Sequence, residues 1–197
     1  MDADGLSDLT FACATTAEER VARHAGLHAA RIGLGGAAGL PGGRLVSFGL
    51  AGALHDGLRV GDVLDATRVV DGSGTTLWQG EPLGAPGARP ATIVASEVLV
   101  HDPAERRRLH AASGADAVDM ESGVLAASGR LAGVLRAVSD VPASAIEGVD
   151  TTIRPDGRTD VAGLARWLAT GRRDAVRSLR DALTALRSLQ RAAQVLA

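Results

Sequence analysis

The stretch Asp116-Ala-Val-Asp-Met-Glu-Ser122 joins a short apolar run to a helix of small residues, and two acids flank the methionine between them. Val118 closes the apolar run, and the composition predicts a helix from Ser122 to Ser128. Unpaired N–H groups and the helix dipole stabilise a carboxylate at a helix N-terminus, so Glu121 has an ordinary structural explanation. A strand that leads directly into a helix is typical of an α/β protein.

A second apolar run, Val134-Leu-Arg-Ala-Val138, follows closely and ends in Ser139-Asp140. In an open α/β sheet, ligands bind beyond the carboxyl ends of the strands. Two strands that each deliver an acid to this edge predict a functional pair, in which one carboxyl acts as an acid and the other holds the ligand. The pair is Glu121 and Asp140.

The rest of the chain alternates between the two kinds of element, which predicts one α/β domain over residues 1–197. Strands are predicted at 9–14, 44–48, 62–70, 75–78 and 91–100, and helices at 15–25, 102–114 and about 172–195, with a further helix before the last one. Residues 141–160 contain two prolines and two glycines and read as a long irregular segment. Loops of that length are usually functional or disordered.

Two groups of residues have both a local and a functional interpretation. Thr15 and Glu18 have the spacing of a capping box, which by itself explains the glutamate at the start of a helix. Gly49 and Gly52 come just after a predicted strand, where small residues let a ligand approach the backbone. The glycines of residues 30–36 lack the full dinucleotide-binding pattern and are explained by tight turns.

Composition excludes several classes of function. The chain has no lysine, which rules out a Schiff base and the lysine of a P-loop. A net charge of −2 and only 2% aromatic residues argue against a nucleic-acid surface. His24 and His28 are four residues apart, but no acid completes a metal-binding helix, so neither a metal nor another cofactor is predicted.

The same composition indicates a cytoplasmic protein. Cys13 is the only cysteine, so the chain cannot form an internal disulfide, and its place in a predicted strand suits the core. The acidic start does not read as a signal peptide, and no apolar run approaches the roughly 18 residues that span a bilayer.

The final helix carries an apolar stripe beside a row of arginines. One interpretation is a helix packed on the sheet with a solvated basic edge. The alternative is peripheral contact with a membrane, because basic amphipathic helices bind anionic interfaces.

Three stretches in a fixed order carry a resemblance to a known family. They are Ser47-Phe-Gly-Leu-Ala-Gly52 with Leu58-Arg-Val-Gly-Asp62, then Val118-Asp-Met-Glu-Ser122, then Leu135-Arg-Ala-Val-Ser-Asp140. Together they resemble the nucleoside phosphorylase/nucleosidase superfamily (purine and uridine phosphorylase type), which includes the methylthioadenosine/adenosylhomocysteine nucleosidases. The segment Ala104-Glu-Arg106 and the C-terminal helix most resemble the hopanoid-associated phosphorylase branch, which is thought to remove adenine from adenosylhopane.

The resemblance implies a three-layer sandwich, with a central mixed, twisted sheet flanked by helices, that cleaves the N-glycosidic bond of a purine nucleoside. Asp140 matches the acid that protonates or hydrogen-bonds N7 of the leaving base, a role that requires it to hold a proton near neutral pH. Glu121 matches the acid that grips the ribose hydroxyls, and Met120 the side chain packed against the sugar. Glu18 matches the acid that positions the attacking water.

The remaining matches concern the base and the backbone. Leu99 and Val100 fall where the family contacts the base, and Leu99 replaces an aromatic side chain. Gly49 and Gly52 are expected to bring the backbone close to the ligand. Leu50 and Ser47 stand where phosphorylases carry serine and arginine around phosphate, which favours water as the nucleophile.

We therefore predict a hydrolytic nucleosidase acting on an adenosine-type nucleoside, with a lipid-linked substrate such as adenosylhopane as a further hypothesis. Phosphorolysis is the alternative mechanism. A catalytically weakened binding or scaffold protein is the alternative of another class, because residues 121–136 are shorter than in the family. A homodimer is the expected assembly.

Overall fold

Eight strands, four named α-helices and two short 3-10 helices lie in the part of the chain that the computed structural model describes, which is residues 8–144, 153–160, 162–163 and 173–196. The strands are β1 Leu9–Cys13, β2 Ala29–Arg31, β3 Arg44–Ala53, β4 Val63–Val70, β5 Thr76–Gln79, β6 Arg89–Ala95, β7 Ala117–Asp119 and β8 Leu131–Asp140. The helices are α1 Thr16–His24, α2 Pro103–Ser113, α3 Ser122–Ala127 and α4 Arg173–Gln194. Of the helix predicted before α4, the described residues include only 162–163, which are helical, and residues 145–152 of the irregular segment lie outside the described residues.

The strands form one mixed sheet that curls on itself. Its order is β2-β1-β3-β7-β6-β4-β5, and β8 pairs with both β3 and β4. The strands β3, β8, β4, β6 and β7 are therefore a closed circuit of hydrogen-bonded neighbours. β1, β3 and β8 run parallel to one another, so their carboxyl ends meet at one edge.

Alternating side chains fill a core on each face of the sheet, as the two-residue period of a strand requires. In β8, Leu135 packs toward α1 and α4, whereas Val134 packs toward α3. Phe11 and Phe48 meet edge to face in the first of these cores, with ring centroids 5.7 Å apart. Helices thus cover both faces, and the predicted three-layer α/β architecture is confirmed.

Helices α1 and α2 begin at the capping residues that the sequence predicts. Thr15 and Glu18 form the capping box of α1, with both reciprocal hydrogen bonds present. Asp102 caps α2 by accepting from the backbone of Ala104, Pro103 is its first residue, and Gly114 ends it in the left-handed conformation. Cys13 is fully buried, as predicted, and burial raises the pKa of its thiol well above the ordinary value.

Two strand boundaries differ from the prediction. β3 does not end at Phe48 but continues to Ala53, because its second half pairs with β7 on one side and β8 on the other. The strand predicted at 91–100 ends at Ala95, where Ser96 forms a local hydrogen-bonded turn with Val98. Leu99 and Val100 therefore lie in a loop.

β7 and β8 run past β3 in opposite directions. β7 pairs antiparallel to β3, with Val118 opposite Gly52, while Asp140 of β8 is opposite Gly52 in the parallel direction. The segment after β7 therefore returns along β3 instead of emerging at its carboxyl end. Glu121 and Asp140 enter the same region from opposite directions.

Helix α4 presents a different face to the sheet than its leucine pattern predicts. Leu189 and Ala193 are buried as expected, but Val176 and Leu183 are 65% and 44% exposed. Small residues let the helix lie close to the sheet and leave the bulkier side chains on its flank; the buried ones are Ala175, Ser178, Ala185 and Ala192. The predicted arginine edge is exposed at Arg177, Arg180, Arg187 and Arg191. No helix in the described ranges is long and apolar enough to cross a membrane.

Candidate active site

A cavity of about 360 Å³ lies at the carboxyl ends of β1, β3 and β8. The loop that carries Leu99 forms one wall, and the exposed flank of α4 forms another. Seven of the eight residues predicted for the site line this cavity, namely Glu18, Gly52, Leu99, Val100, Met120, Glu121 and Asp140. Gly49 lies behind the lining.

Arg136 is the centre of a buried charge cluster beside the cavity. Its guanidinium is fully buried and lies 2.7 Å from Asp119 Oδ2 and 3.3 Å from Glu121 Oε2. It also donates to Ser47 Oγ at 2.6 Å and to the Leu50 carbonyl at 3.2 Å. Burial lowers the pKa of Arg136, but the surrounding carboxylates outweigh that effect and raise it. The arginine is thus held as a cation by two segments that are distant from it in sequence.

Asp119 anchors this arginine. Its carboxylate accepts from both the backbone N–H and the hydroxyl of Ser122, and that hydroxyl also contacts Ser47 Oγ at 3.0 Å. The side chain of Asp119 is fully buried. The hydrogen-bond and ion-pair partners of Asp119 among the described residues are all protein groups, so this residue is positioned to hold Arg136 in place.

Glu18 is held from both sides at the opposite edge of the cluster. One oxygen accepts from the backbone and hydroxyl of Thr15, at 2.8 and 2.9 Å. The other accepts from the Leu50 N–H at 2.9 Å. The capping box uses one carboxylate oxygen of Glu18, and the contact with β3 at the cavity uses the other. Glu18 can therefore cap the helix and line the cavity at the same time. A buried carboxylate fixed in this way is well placed to accept a proton.

The two glycines of β3 make room for the site's own side chains. A Cβ on Gly49 would overlap the Glu18 carboxylate and lie 2.7 Å from Arg136 Nη1. A Cβ on Gly52 would lie 3.1 Å from Arg106 Nη2. The sequence predicts that these glycines let a ligand approach the backbone. In the structure, the space beside them is occupied by charged side chains of the protein itself, which lie directly against the strand.

Glu121 bridges the cluster and the cavity. One oxygen contacts Arg136, and the other accepts from the Gly35 N–H at 3.1 Å. Burial raises the pKa of Glu121 from 4.5 to about 7, and Asp119 and Glu18 add to this increase while Arg136 opposes it. Glu121 therefore changes charge near neutral pH, although a helix N-terminus and an arginine both favour its ionised form.

The raised pKa of Glu121 predicts a pH-dependent stability. Between pH 4.5 and about 7 the folded protein binds more protons than the unfolded chain, so the free energy of unfolding falls as pH rises. The loss is complete above pH 7 and amounts to roughly 3 kcal/mol. Urea unfolding of Glu121→Gln across this window should lack that decrease, whereas Glu81→Gln, at an exposed site, should retain it. Equal pH slopes in Glu121→Gln and the parent protein would refute the assignment.

Asp140 occupies the other polar end of the cavity. Ser139 donates its hydroxyl to one carboxylate oxygen at 2.7 Å, and Arg106 pairs with the other oxygen. Both Asp140 and Arg106 are buried. Asp140 is therefore anchored by a hydroxyl on one oxygen and by a guanidinium on the other.

The outer part of the cavity is mainly apolar. Leu99 is 40% exposed at the mouth, Val100 is buried behind it, and Met120 is partly exposed between the two acids. Opposite them, α4 contributes its flank, through Leu179, Ala182, Leu183 and Leu186. The wall forms because α4 packs on the sheet through its small residues, which leaves these leucines on the side that lines the cavity.

Two arginines at the site were missed by the sequence-based prediction. Arg136 and Arg106 both belong to stretches that were recognised, yet neither was given a role. A signal was present for Arg136, since a charge inside an apolar strand run must find buried partners. Arg106 gave no such signal, because it is one of three consecutive arginines on an otherwise exposed helix.

Comparison with known proteins supports the fold. No family model and no curated protein matches the sequence. Among solved structures, 5′-methylthioadenosine nucleosidase of Arabidopsis thaliana aligns with a TM-score of 0.60 at 15% identity, over 97% of this chain and 94% of that one. Futalosine hydrolase of Helicobacter pylori aligns with a TM-score of 0.57 at 14% identity, over 91% and 98% of the two chains.

A third structure gives the same result. The 5′-methylthioadenosine/S-adenosyl homocysteine nucleosidase of Campylobacter jejuni aligns with a TM-score of 0.56 at 16% identity, over 93% of this chain and 99% of that one. The fold is that of these nucleosidases. At such identities the likeness extends to architecture, and the chemistry must be argued from the site itself.

Proposed function

We propose that this protein is an enzyme that hydrolyses the N-glycosidic bond of a purine nucleoside. The observation that carries the proposal is one cavity with carboxylates at both ends, Glu18 and Glu121 beside Arg136, and Asp140 beside Arg106. The three solved structures described above, two nucleosidases and one futalosine hydrolase by name, support the same class of reaction.

The cluster around Arg136 would serve the sugar. Glycosidic bond cleavage passes through an oxocarbenium-like transition state, which negative charge close to the ribose stabilises. Glu121 would accept hydrogen bonds from the ribose hydroxyls, and Met120 would pack against the ring. Glu18 would orient the attacking water and take its proton.

The charge of the same cluster favours hydrolysis over phosphorolysis. Three carboxylates, those of Glu18, Asp119 and Glu121, act on the single guanidinium of Arg136. A phosphate dianion would meet this net negative charge, whereas water would not. The Leu50 N–H, a backbone donor facing the region, already donates to Glu18.

The base would lie at the other end, between Asp140 and the side chains of Leu99 and Val100. Asp140 would contact the leaving base, and an adenosine-type nucleoside is the substrate we propose. The apolar wall of α4 supports a substrate with an apolar group on the ribose, of which a lipid-linked nucleoside such as adenosylhopane is the most extended case. Membrane contact through α4 and a homodimer stay predictions.

A nucleoside panel tests the proposal. Wild-type protein is incubated with adenosine, inosine and adenosine derivatives that carry 5′-alkyl groups of increasing length, with and without phosphate. We expect free base and free ribose at a rate independent of phosphate, with activity rising with the length of the 5′ group. Ribose 1-phosphate as the product would instead establish phosphorolysis.

The matched variant for this panel is Asp140→Asn, which keeps the shape of the side chain but removes its charge. We expect its turnover to fall by about 10²–10⁴-fold, the typical contribution of a positioned acid or base. Asp62→Asn, at an exposed ion pair with Arg89, is the control and should keep its activity. Near-normal turnover in Asp140→Asn would remove this residue from the reaction. Absence of both binding and turnover in the wild type would favour the scaffold alternative.

A further inference from the structure

Arg106 reaches from α2 through the protein to the base end of the cavity. Its side chain is only 3% exposed. Nε donates to the Val100 carbonyl at 2.9 Å, Nη1 donates to the Ala53 carbonyl at 3.2 Å, and Nη2 donates to Asp140 Oδ2. Arg106 therefore ties the base-side loop, the end of β3 and the end of β8 together.

The fold makes room for this side chain. Asp140 is the register partner of Gly52, and a side chain on Gly52 would meet the guanidinium, with its Cβ only 3.1 Å from Arg106 Nη2. The neighbouring Arg107 and Arg108 are exposed, so one arginine of the three is turned inward. Burying a guanidinium is costly unless it is paired, and here one carboxylate and two carbonyls compensate it.

The pairing leaves donors that can serve a ligand. An arginine has five N–H donors, and among the described residues three of those on Arg106 have protein acceptors. Arg106 and Asp140 both line the cavity. The base end of the cavity thus offers a cationic donor directly beside an anionic acceptor.

This arrangement matches one edge of one class of purine. A 6-aminopurine presents an acceptor at N7 beside a donor at its exocyclic amine. A 6-oxopurine presents two acceptors, N7 and O6, so its oxygen would face the Asp140 carboxylate without a hydrogen between them. The Asp140 acceptor therefore discriminates between the two classes, whereas a donor at N7 serves both.

We propose that Arg106 is a catalytic residue that donates to N7 of a leaving 6-aminopurine, while the Asp140 carboxylate accepts from the 6-amino group. The inference rests on the proposed nucleosidase function and deepens it. When the bond between C1′ and N9 breaks, its electron pair moves into the purine, and the guanidinium at N7 stabilises the resulting negative charge. Water supplies the hydroxyl to C1′ and its proton goes to Glu18. The purine takes its proton from solvent afterwards.

The pH dependence of turnover separates this mechanism from proton donation by Asp140. An arginine stays protonated throughout the working range, so we expect no decline in wild-type kcat between about pH 7 and about pH 9. Arg106→Gln lacks this cation, so its kcat should be lower by at least about 100-fold across the same pH range. The other titratable groups facing the cavity are His101, Glu18, Asp119 and Glu121, and they are common to both proteins.

Base selectivity is the second readout. We expect the wild type to prefer adenosine-type over inosine-type nucleosides by more than about 100-fold in kcat/KM because of Asp140. Arg106→Gln should lower kcat/KM for both classes in the same proportion, because both classes present an acceptor at N7. Arg106→Lys keeps the cation and should retain a flat pH profile with intermediate activity. Arg107→Gln, at the adjacent exposed position, is the matched control and should behave as wild type.

The outcomes are distinguishable. A wild-type rate that falls tenfold per unit above pH 7, or a kcat of Arg106→Gln within about threefold of wild type, would overturn the inference while leaving the nucleosidase function intact. If the wild type cleaves no purine nucleoside, the proposed function fails, and calorimetric binding of free adenine against hypoxanthine still tests the donor and acceptor pair. Equal affinity for the two bases would then refute it. If Arg106→Gln does not fold, the activity of Arg106→Lys and the pH profile of wild-type kcat test the inference instead.

Discussion

Replacing Arg136 by methionine is expected to lower the free energy of unfolding by about 3–5 kcal/mol, the usual result of breaking a buried ion pair from one side. Methionine fills much of the volume but leaves Asp119 and Glu121 without a cation and Ser47 without its closest partner. Because small proteins are stable by about 5–15 kcal/mol in total, this loss is a large fraction of the whole. Urea unfolding at neutral pH measures it directly.

The expected loss comes from uncompensated charge, which a second substitution can test. Asp119→Asn in the Arg136→Met background removes one of the stranded carboxylates and should restore part of the stability, so the two changes should be strongly non-additive. Arg44→Met, at the exposed start of β3, is the control and should change stability by less than about 0.5 kcal/mol. A loss below about 1 kcal/mol in Arg136→Met would show that the cluster does not depend on its cation.

Replacing Glu18 by glutamine is expected to reduce kcat by about 10²–10⁴-fold if the protein is the nucleosidase we propose. The amide keeps the shape of the carboxylate but cannot take a proton from water. It also cannot accept from Thr15 and Leu50 through both of its terminal atoms, so one of these backbone contacts would be lost. Steady-state kinetics with an adenosine-type nucleoside, combined with direct measurement of base affinity, separates the two effects.

The neighbouring glutamate provides the control for this experiment. Glu19 lies in the same first turn of α1, pairs with Arg23 and is absent from the cavity wall. Glu19→Gln therefore makes the same change in helix charge and should keep kcat within about twofold. Loss of kcat in Glu18→Gln with unchanged base affinity supports the water-positioning role. Equal effects of the two substitutions would attribute the loss to the helix terminus.

The local sequence predicted a substantial part of this protein correctly. The capping box at Thr15 and the Asp102-Pro103 start of α2 involve groups only a few residues apart, so local hydrogen bonding and fixed dihedrals determine them. The apolar runs of β1 and β8 are likewise readable, because burial on both faces favours nearly continuous apolar sequence. The acids of the site follow such runs and were found in this way.

The course of the strands was decided by tertiary pairing. The second half of β3 looks like a glycine loop in isolation and becomes a strand because β7 and β8 both pair with it. The antiparallel direction of β7 is not encoded in its three residues either. It depends on which neighbour supplies the backbone hydrogen bonds, which no local pattern records.

The sequence by itself determined the α/β class, the helix caps and the acids Glu18, Glu121 and Asp140 as candidates. Only the tertiary structure decided which cations meet them. Arg136 reaches Ser47 across 89 positions of sequence, and Arg106 reaches Asp140 across 34. A buried charge is stable only where distant segments converge on it, so the partners of these arginines are a property of the assembled fold.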